Sequence, residues 1–294
     1  MFVMLTGALL LQPSKVEPVR EFFKKRWARI GLPFLFWGAI YFAWDYYADH
    51  LALTSGFIFQ GILSGPYYQF WYLYMLVGLY LLTPVLRIVV AHATAEIFKY
   101  FFVVWLLAAF IIPIPGIIGA FYLDGNLLTL PLWAGYFVLG VFLMSVKIRR
   151  RALLGLVALG LVLTLVGTYV IAATVGGPHT YYFQDYFSPT IILASAALFL
   201  LLNTLKVPKT QAEAPHPKIN WFLRQISQST LAIFLFHVIV LETLQRGYLW
   251  GFTISGSNLN SIIEIPLITA VTLFICLAVI LPLRKVPVIK NLIG

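Results

Sequence analysis

Residues 32–50, 68–86, 100–119, 130–146, 152–175, 189–205, 230–249 and 262–283 form eight predominantly apolar runs. Each is near the ~20 residues a helix needs to cross a hydrocarbon core about 30 Å thick. In lipid no water is available to a peptide group, so a spanning segment must pair its own backbone, as a helix does, or close into a barrel. Runs this long, without polar alternation, are helices. The composition agrees: 61% of the side chains are hydrophobic and 10% charged, against roughly 45–50% and about 25% in soluble domains. A soluble enzyme is excluded, and 24 Phe, 16 Tyr and 8 Trp exclude a disordered chain. The expected fold is all-α, a polytopic transmembrane bundle forming one domain over 1–294.

Lys and Arg decide how the runs are threaded, because cytoplasmic loops collect them. Segments 12–31, 87–99, 147–151 and 206–229 and the tail beyond 283 hold 19 of the 20 basic residues. The alternate gaps 51–67, 120–129, 176–188 and 250–261 hold none, and Arg246 alone lies elsewhere. The net charge of +10 therefore records membrane orientation and implies no nucleic-acid partner. The alternation predicts a multi-pass protein of a bacterial inner membrane with a cytoplasmic C-terminus. Segment 206–229, with Pro208, Pro215 and Pro217, reads as a cytoplasmic linker.

Residues 2–11 are apolar but too short to cross, and they lack the basic start of a signal peptide. They read as the second half of a helix, so eight full spans and one partial span are expected. The missing half implies upstream sequence of about 40 residues, enough to complete this helix and add one more.

Few side chains can carry chemistry. Arg26 and Arg29, three apart at the basic mouth of a span, suit fork-like binding of phosphate oxygens; they equally suit a flank against anionic membrane lipids. His237 falls near the middle of run 230–249, where ionisable groups are costly and usually functional, although a neutral imidazole bonded to a carbonyl would also be stable there. Asp45 and Asp49, four apart, with His50, could move a proton or grip sugar hydroxyls; a solvated helix end is the alternative. The aromatic string 67–74, including Trp71 and Tyr74, suits an interfacial belt and also sugar stacking. The only cysteine, Cys276, sits in an apolar run, and no metal-ligand spacing or nucleotide-binding loop occurs.

Several strings together resemble the acyltransferase-3 family of bacterial inner-membrane O-acyltransferases. Phe2-Val-Met-Leu-Thr-Gly7-Ala8 is similar to its Phe-x-Met-Ser-Gly helix. Arg26-x-x-Arg29-Ile-x-x-Pro33-x-x-x-Trp37 is similar to its Arg-x-x-Arg loop. Residues 70–84 resemble its Trp-Phe-Leu helix in the branch that O-acetylates envelope polysaccharide. Tyr136-x-x-Leu-Gly140 and Ser229-x-x-Ala232-x-x-x-x-His237 resemble two further motifs.

The resemblance implies a ten-helix bundle that moves an acetyl group from cytoplasmic acetyl-CoA to a hydroxyl of an envelope glycan. It implies no permanently bound cofactor. Arg26 and Arg29 would hold the CoA phosphates, His237 is the one catalytic candidate, and Asp45, Trp71 and Tyr74 would meet the acceptor. The family's first helix, with its Arg and its acyl-transfer His, has no counterpart here. The runner-up reading is an exporter of polysaccharide or lipid-linked sugar; Pro113 and Pro115, which interrupt one run, favour it, and the absence of internal repeats opposes it.

The threading is directly testable. A reporter that fluoresces only in the cytoplasm, fused after Gly125 or Gly177, should stay dark; a bright fusion at either position would overturn the orientation.

Overall fold

The structure, a computed structural model, describes residues 1–14, 17–111, 126–205, 217–248 and 260–294. Its regular elements are α1 (Phe2–Leu10), α2 (Val19–Arg26), a π-helical turn (Trp27–Gly31), α3 (Leu32–Ala48), α4 (Ser55–Ser64), α5 (Trp71–His92) and α6 (Ala95–Ile111). They continue with α7 (Asn126–Leu143), α8 (Arg150–Thr174), a 3-10 segment (Gly177–Gln184), α9 (Pro189–Asn203), α10 (Pro217–Gln245), α11 (Ser261–Leu283) and α12 (Pro287–Ile293). Among the described residues there is no strand.

Five stretches are long and apolar enough to cross a membrane: Ser55–His92, Arg150–Thr174, Thr180–Asn203, Ile219–Gln245 and Ile262–Leu283. The chain is a multi-pass membrane protein. Each of the eight apolar runs contains a helix. Pro113 and Pro115, residues 206–216 of the expected linker, most of gap 120–129 and nearly all of gap 250–261 lie outside the described residues. The remainder of the expected linker, from Pro217, is helical and continuous with the span that follows.

The chain forms two compact units. The first combines Met1–Pro18 with Met75–Val207. In it α1 lies against α7 at backbone contact: a Cβ on Gly7 would stand 1.8 Å from the Phe137 carbonyl oxygen, and one on Gly140 would stand 1.9 Å from that of Met4. Small residues permit such approach where apolar burial alone does not drive helices together in lipid. Met4 and Leu11 are fully buried as a result. The carbonyl of Leu10, left over at the end of α1, accepts from Nε of Arg87 at 2.7 Å. Trp105 donates to the Leu132 carbonyl at 2.8 Å, joining α6 to α7. α8 and α9 pair antiparallel, Gly160 facing Ala194 and Thr164 donating to Thr190 at 2.8 Å.

The second unit combines Val19–Tyr74 with Pro208–Gly294. Pro33 sits in the first turn of α3, where its ring crowds the carbonyl of Arg29 four residues back. The wider turn at Trp27–Gly31 accommodates it. α3 buries Trp37, Tyr41 and Asp45 on one face. Trp37 donates to the Ile293 carbonyl at 3.2 Å, which docks α12, and Tyr41 donates to the Leu235 carbonyl at 2.6 Å. α3 and α10 therefore run side by side in the same direction.

The glycine contact between α1 and α7 carries a stability prediction. Gly7→Ala or Gly140→Ala forces the two backbones apart and should destabilise by about 1–3 kcal/mol, the usual cost of overpacking. Gly155→Ala on α8, where the added Cβ meets nothing within 4 Å, should be neutral or stabilising by about 0.5–1 kcal/mol. Thermal unfolding in detergent reads both; equal effects at the two kinds of site would refute the close-contact account.

Candidate functional site

The polar groups of the second unit gather where α3 and α10 end together, at the end that the charge alternation assigns to the outside. The centre is Glu242. Its Oε2 accepts from the indole N–H of Trp44 at 2.9 Å, and its Oε1 accepts a short hydrogen bond from the Tyr67 hydroxyl. Arg246, one turn on, holds Glu242 at 3.2 Å and Asp49 at 2.6 Å. These ion pairs are half-buried, so solvent weakens them less than at an open surface. Tyr67 stacks on Tyr41 with ring centroids 4.8 Å apart, and Tyr41 meets Phe70 edge-on at 5.5 Å. Trp44 meets Tyr248 at 6.3 Å.

Asp45 lies beside this network, 4% exposed. Among the described residues its carboxylate has no hydrogen-bond partner, which is unusual for a buried charge-bearing group. Three carboxylates, one guanidinium and an aromatic wall form a site suited to hydroxyl groups, which donate to carboxylates and lay their C–H faces on rings. Among the described residues no His, Cys, Asp and Glu group is placed to hold a metal ion.

The other sequence-predicted residues fall elsewhere. His50 takes a left-handed backbone, φ 54°, and ends α3 as an exposed turn residue. Tyr74 donates its hydroxyl to the Ile62 carbonyl and meets Phe34 edge-on, so it braces α4. Trp71 is 40% exposed, against Tyr72. His237 holds its Nδ1 2.7 Å from the Phe234 carbonyl. At the opposite end of α3, Arg26 ends α2 and Arg29 lies in the π-helical turn. Arg26 lies over the Phe22 ring at 5.1 Å, whereas Arg29 is exposed.

The sequence model for the family described as Acyltransferase domain matches residues 1–281. The chain belongs to the acyltransferase-3 family. No curated protein and no solved structure matches it significantly. Family membership makes the molecule a membrane acyltransferase, and it supplies a reason to ask where a polar substrate could bind in so apolar a chain.

Two members of this acyltransferase's polar cluster, Glu242 and Arg246, carry no sequence-based reading as site residues, nor does Trp44, whereas Tyr67 opens the aromatic string 67–74. One signal was present. Arg246 is the single basic residue outside the cytoplasmic set, and a lone cation among acid-bearing helix ends invites pairing. Glu242 and Arg246 are also four apart, on one face of α10.

Removing a donor from a half-buried carboxylate costs about 1–3 kcal/mol. Trp44→Phe, which keeps the ring and removes the N–H, should destabilise within that range. Arg246→Gln should cost less, about 1 kcal/mol, because its side chain is about one-third exposed. Thermal unfolding in detergent measures both, and an unaltered Trp44→Phe would show that the indole bond contributes nothing.

Proposed function

We propose that this acyltransferase moves an acetyl group from cytoplasmic acetyl-CoA to a hydroxyl of a cell-envelope polysaccharide or glycolipid, in a bacterial inner membrane with the C-terminus inside. The observation that carries the reading is the membership of residues 1–281 in the acyltransferase family. The separation of a basic end from a carboxylate-rich end on one helix, α3, supports it. The basic end suits a phosphorylated thioester, and the carboxylate end suits a sugar.

The reaction joins the acceptor oxygen to the thioester carbonyl carbon. The C–S bond breaks and the CoA sulfur takes up a proton, while the acceptor hydroxyl gives one to a base. Three things are needed: a cationic grip on the donor, alignment of the two reactants, and the base. Arg26 and Arg29 supply the grip. Asp45 and Glu242, with Trp71 and the ring of Tyr74, supply the acceptor contacts. His237 supplies the base. Because a carbonyl can only accept, its Nδ1 carries the proton toward Phe234, and Nε2 presents the lone pair.

The double change Arg26→Ala, Arg29→Ala should weaken acetyl-CoA binding to purified protein at least tenfold, since each charge-assisted hydrogen bond contributes roughly 1.5–3 kcal/mol. Lys at both positions should restore only part of it. His237→Ala should keep donor binding and abolish transfer to the glycan. Unchanged affinity in the double alanine variant would return these arginines to a lipid-facing flank.

A further inference from the structure

Two cavities in the second unit share a wall at Leu281 and Pro282. The larger, about 540 Å3, is wholly apolar and runs along α11 past Leu273, Phe274 and Leu277, with Phe222 of α10 on its other side. Phe274 is 73% exposed, which water would penalise and a hydrocarbon chain would not. From Ala270 to Pro282 the groove follows the helix for about 18 Å at 1.5 Å per residue, close to the ~15 Å half-thickness of a hydrocarbon core.

The smaller cavity, about 420 Å3, opens at the end of that groove and changes character. Arg284, Lys285 and Lys290 line it with Gln225, Gln228 and the indole of Trp221. Trp221, Gln225 and Gln228 recur on one face of α10, so the pocket is built on a helix rather than on a loop. Arg284 is fixed there: it donates from Nη1 to the fully buried Ser229 hydroxyl at 2.8 Å. Its buried Nε has no hydrogen-bond partner among the described residues. No Asp or Glu occurs in 217–241 or in 265–294, so the stretches of α10 and α11 that line the pocket bring no acid to it; Glu242 and Glu264 lie toward the far ends of these helices.

An apolar groove one leaflet long that ends in a pocket lined by three cations fits the shape and charge of an amphiphile with a negative head. We propose that this is a binding site for an anionic phospholipid, its acyl chain along α11 and its phosphate between Arg284, Lys285 and Lys290. The site is separate from Arg26 and Arg29 and does not depend on the transferase reading. Three cations clustered in one pocket select a headgroup of net negative charge over a zwitterionic one of the same phosphate chemistry.

The test uses the full chain, purified and delipidated, with lipid retention read by native mass spectrometry against phosphatidylglycerol and phosphatidylcholine. The wild type should retain phosphatidylglycerol at least fivefold better. Lys285→Gln with Lys290→Gln, both exposed, should bring that preference close to one, while Arg150→Gln with Arg151→Gln, an equal loss of charge elsewhere, should keep it. Ala278→Trp, which fills the groove and leaves the charges alone, should also reduce retention. Equal loss in the arginine control reduces the effect to general surface charge and overturns the proposal, as does full retention in the lysine variant or in Ala278→Trp. Displacement of the lipid by adenosine 3′,5′-bisphosphate, weakened by the same lysine changes, would assign the pocket to a soluble phosphate and equally overturn the lipid assignment.

Discussion

A carboxylate near the end of an apolar helix must find donors or leave the helix unstable, and Glu242 finds three. Trp44 comes from α3, Tyr67 from the segment before α5, and Arg246 from its own helix. Each donor also has an apolar duty: Trp44 packs near Tyr248 and Tyr67 stacks on Tyr41. One acid thereby fixes three pieces of chain that are distant in sequence. Asp45 and Asp49 stand where they do because α3 is held against α10 by this bond at one end and by Tyr41 and Trp37 further down. A bonded charge of this kind specifies register more than it adds net stability, since desolvation offsets much of the attraction.

The first unit reaches definition by a different route, the removal of side chains. Gly7 and Gly140 each face a backbone carbonyl of the other helix, and these are the glycines on which two of the family-like strings end. The physical content of those strings is thus close helix contact rather than chemistry. Any Cβ at either place would have to displace a helix axis, because the opposing atom is backbone and cannot rotate away. Dispersion between closely packed backbones replaces the hydrophobic driving force that helices lack among lipid tails.

Much of this architecture is legible in the chain because the membrane imposes length on its apolar runs. Each apolar run became a helix for that reason, and the family strings pointed to the acyltransferase. What sequence spacing could not show is equally physical. Arg26 and Arg29 stand three apart, with Arg29 in a π-helical rather than an α-helical turn; Arg26 lies over Phe22 and Arg29 is exposed. Spacing also does not show that the Tyr74 hydroxyl is taken by the Ile62 carbonyl, which leaves only its ring for an acceptor. The roles of Trp44 and Tyr67 depend on Glu242, nearly two hundred residues away in the chain, which local spacing does not show.

The parallel course of α3 and α10 gives the proposed chemistry its geometry. α3 extends about 25 Å over 17 residues, slightly less than a hydrocarbon core, and carries a basic turn at one end and carboxylates at the other. A donor gripped at the first end and a sugar gripped at the second cannot react across that distance, so the thioester must reach inward from its phosphates. His237 lies part-way along α10, between the Tyr41-to-Leu235 bond and the Glu242 network. There its Nδ1 is committed to the Phe234 carbonyl. On the proposed reading, a base part-way along the helix meets the reactants away from both ends, where less water competes for the thioester. The pinning of α3 at Trp37, Tyr41 and Trp44 then matters for chemistry as well as stability, because it holds the two ends at a constant separation while the acyl group crosses between them.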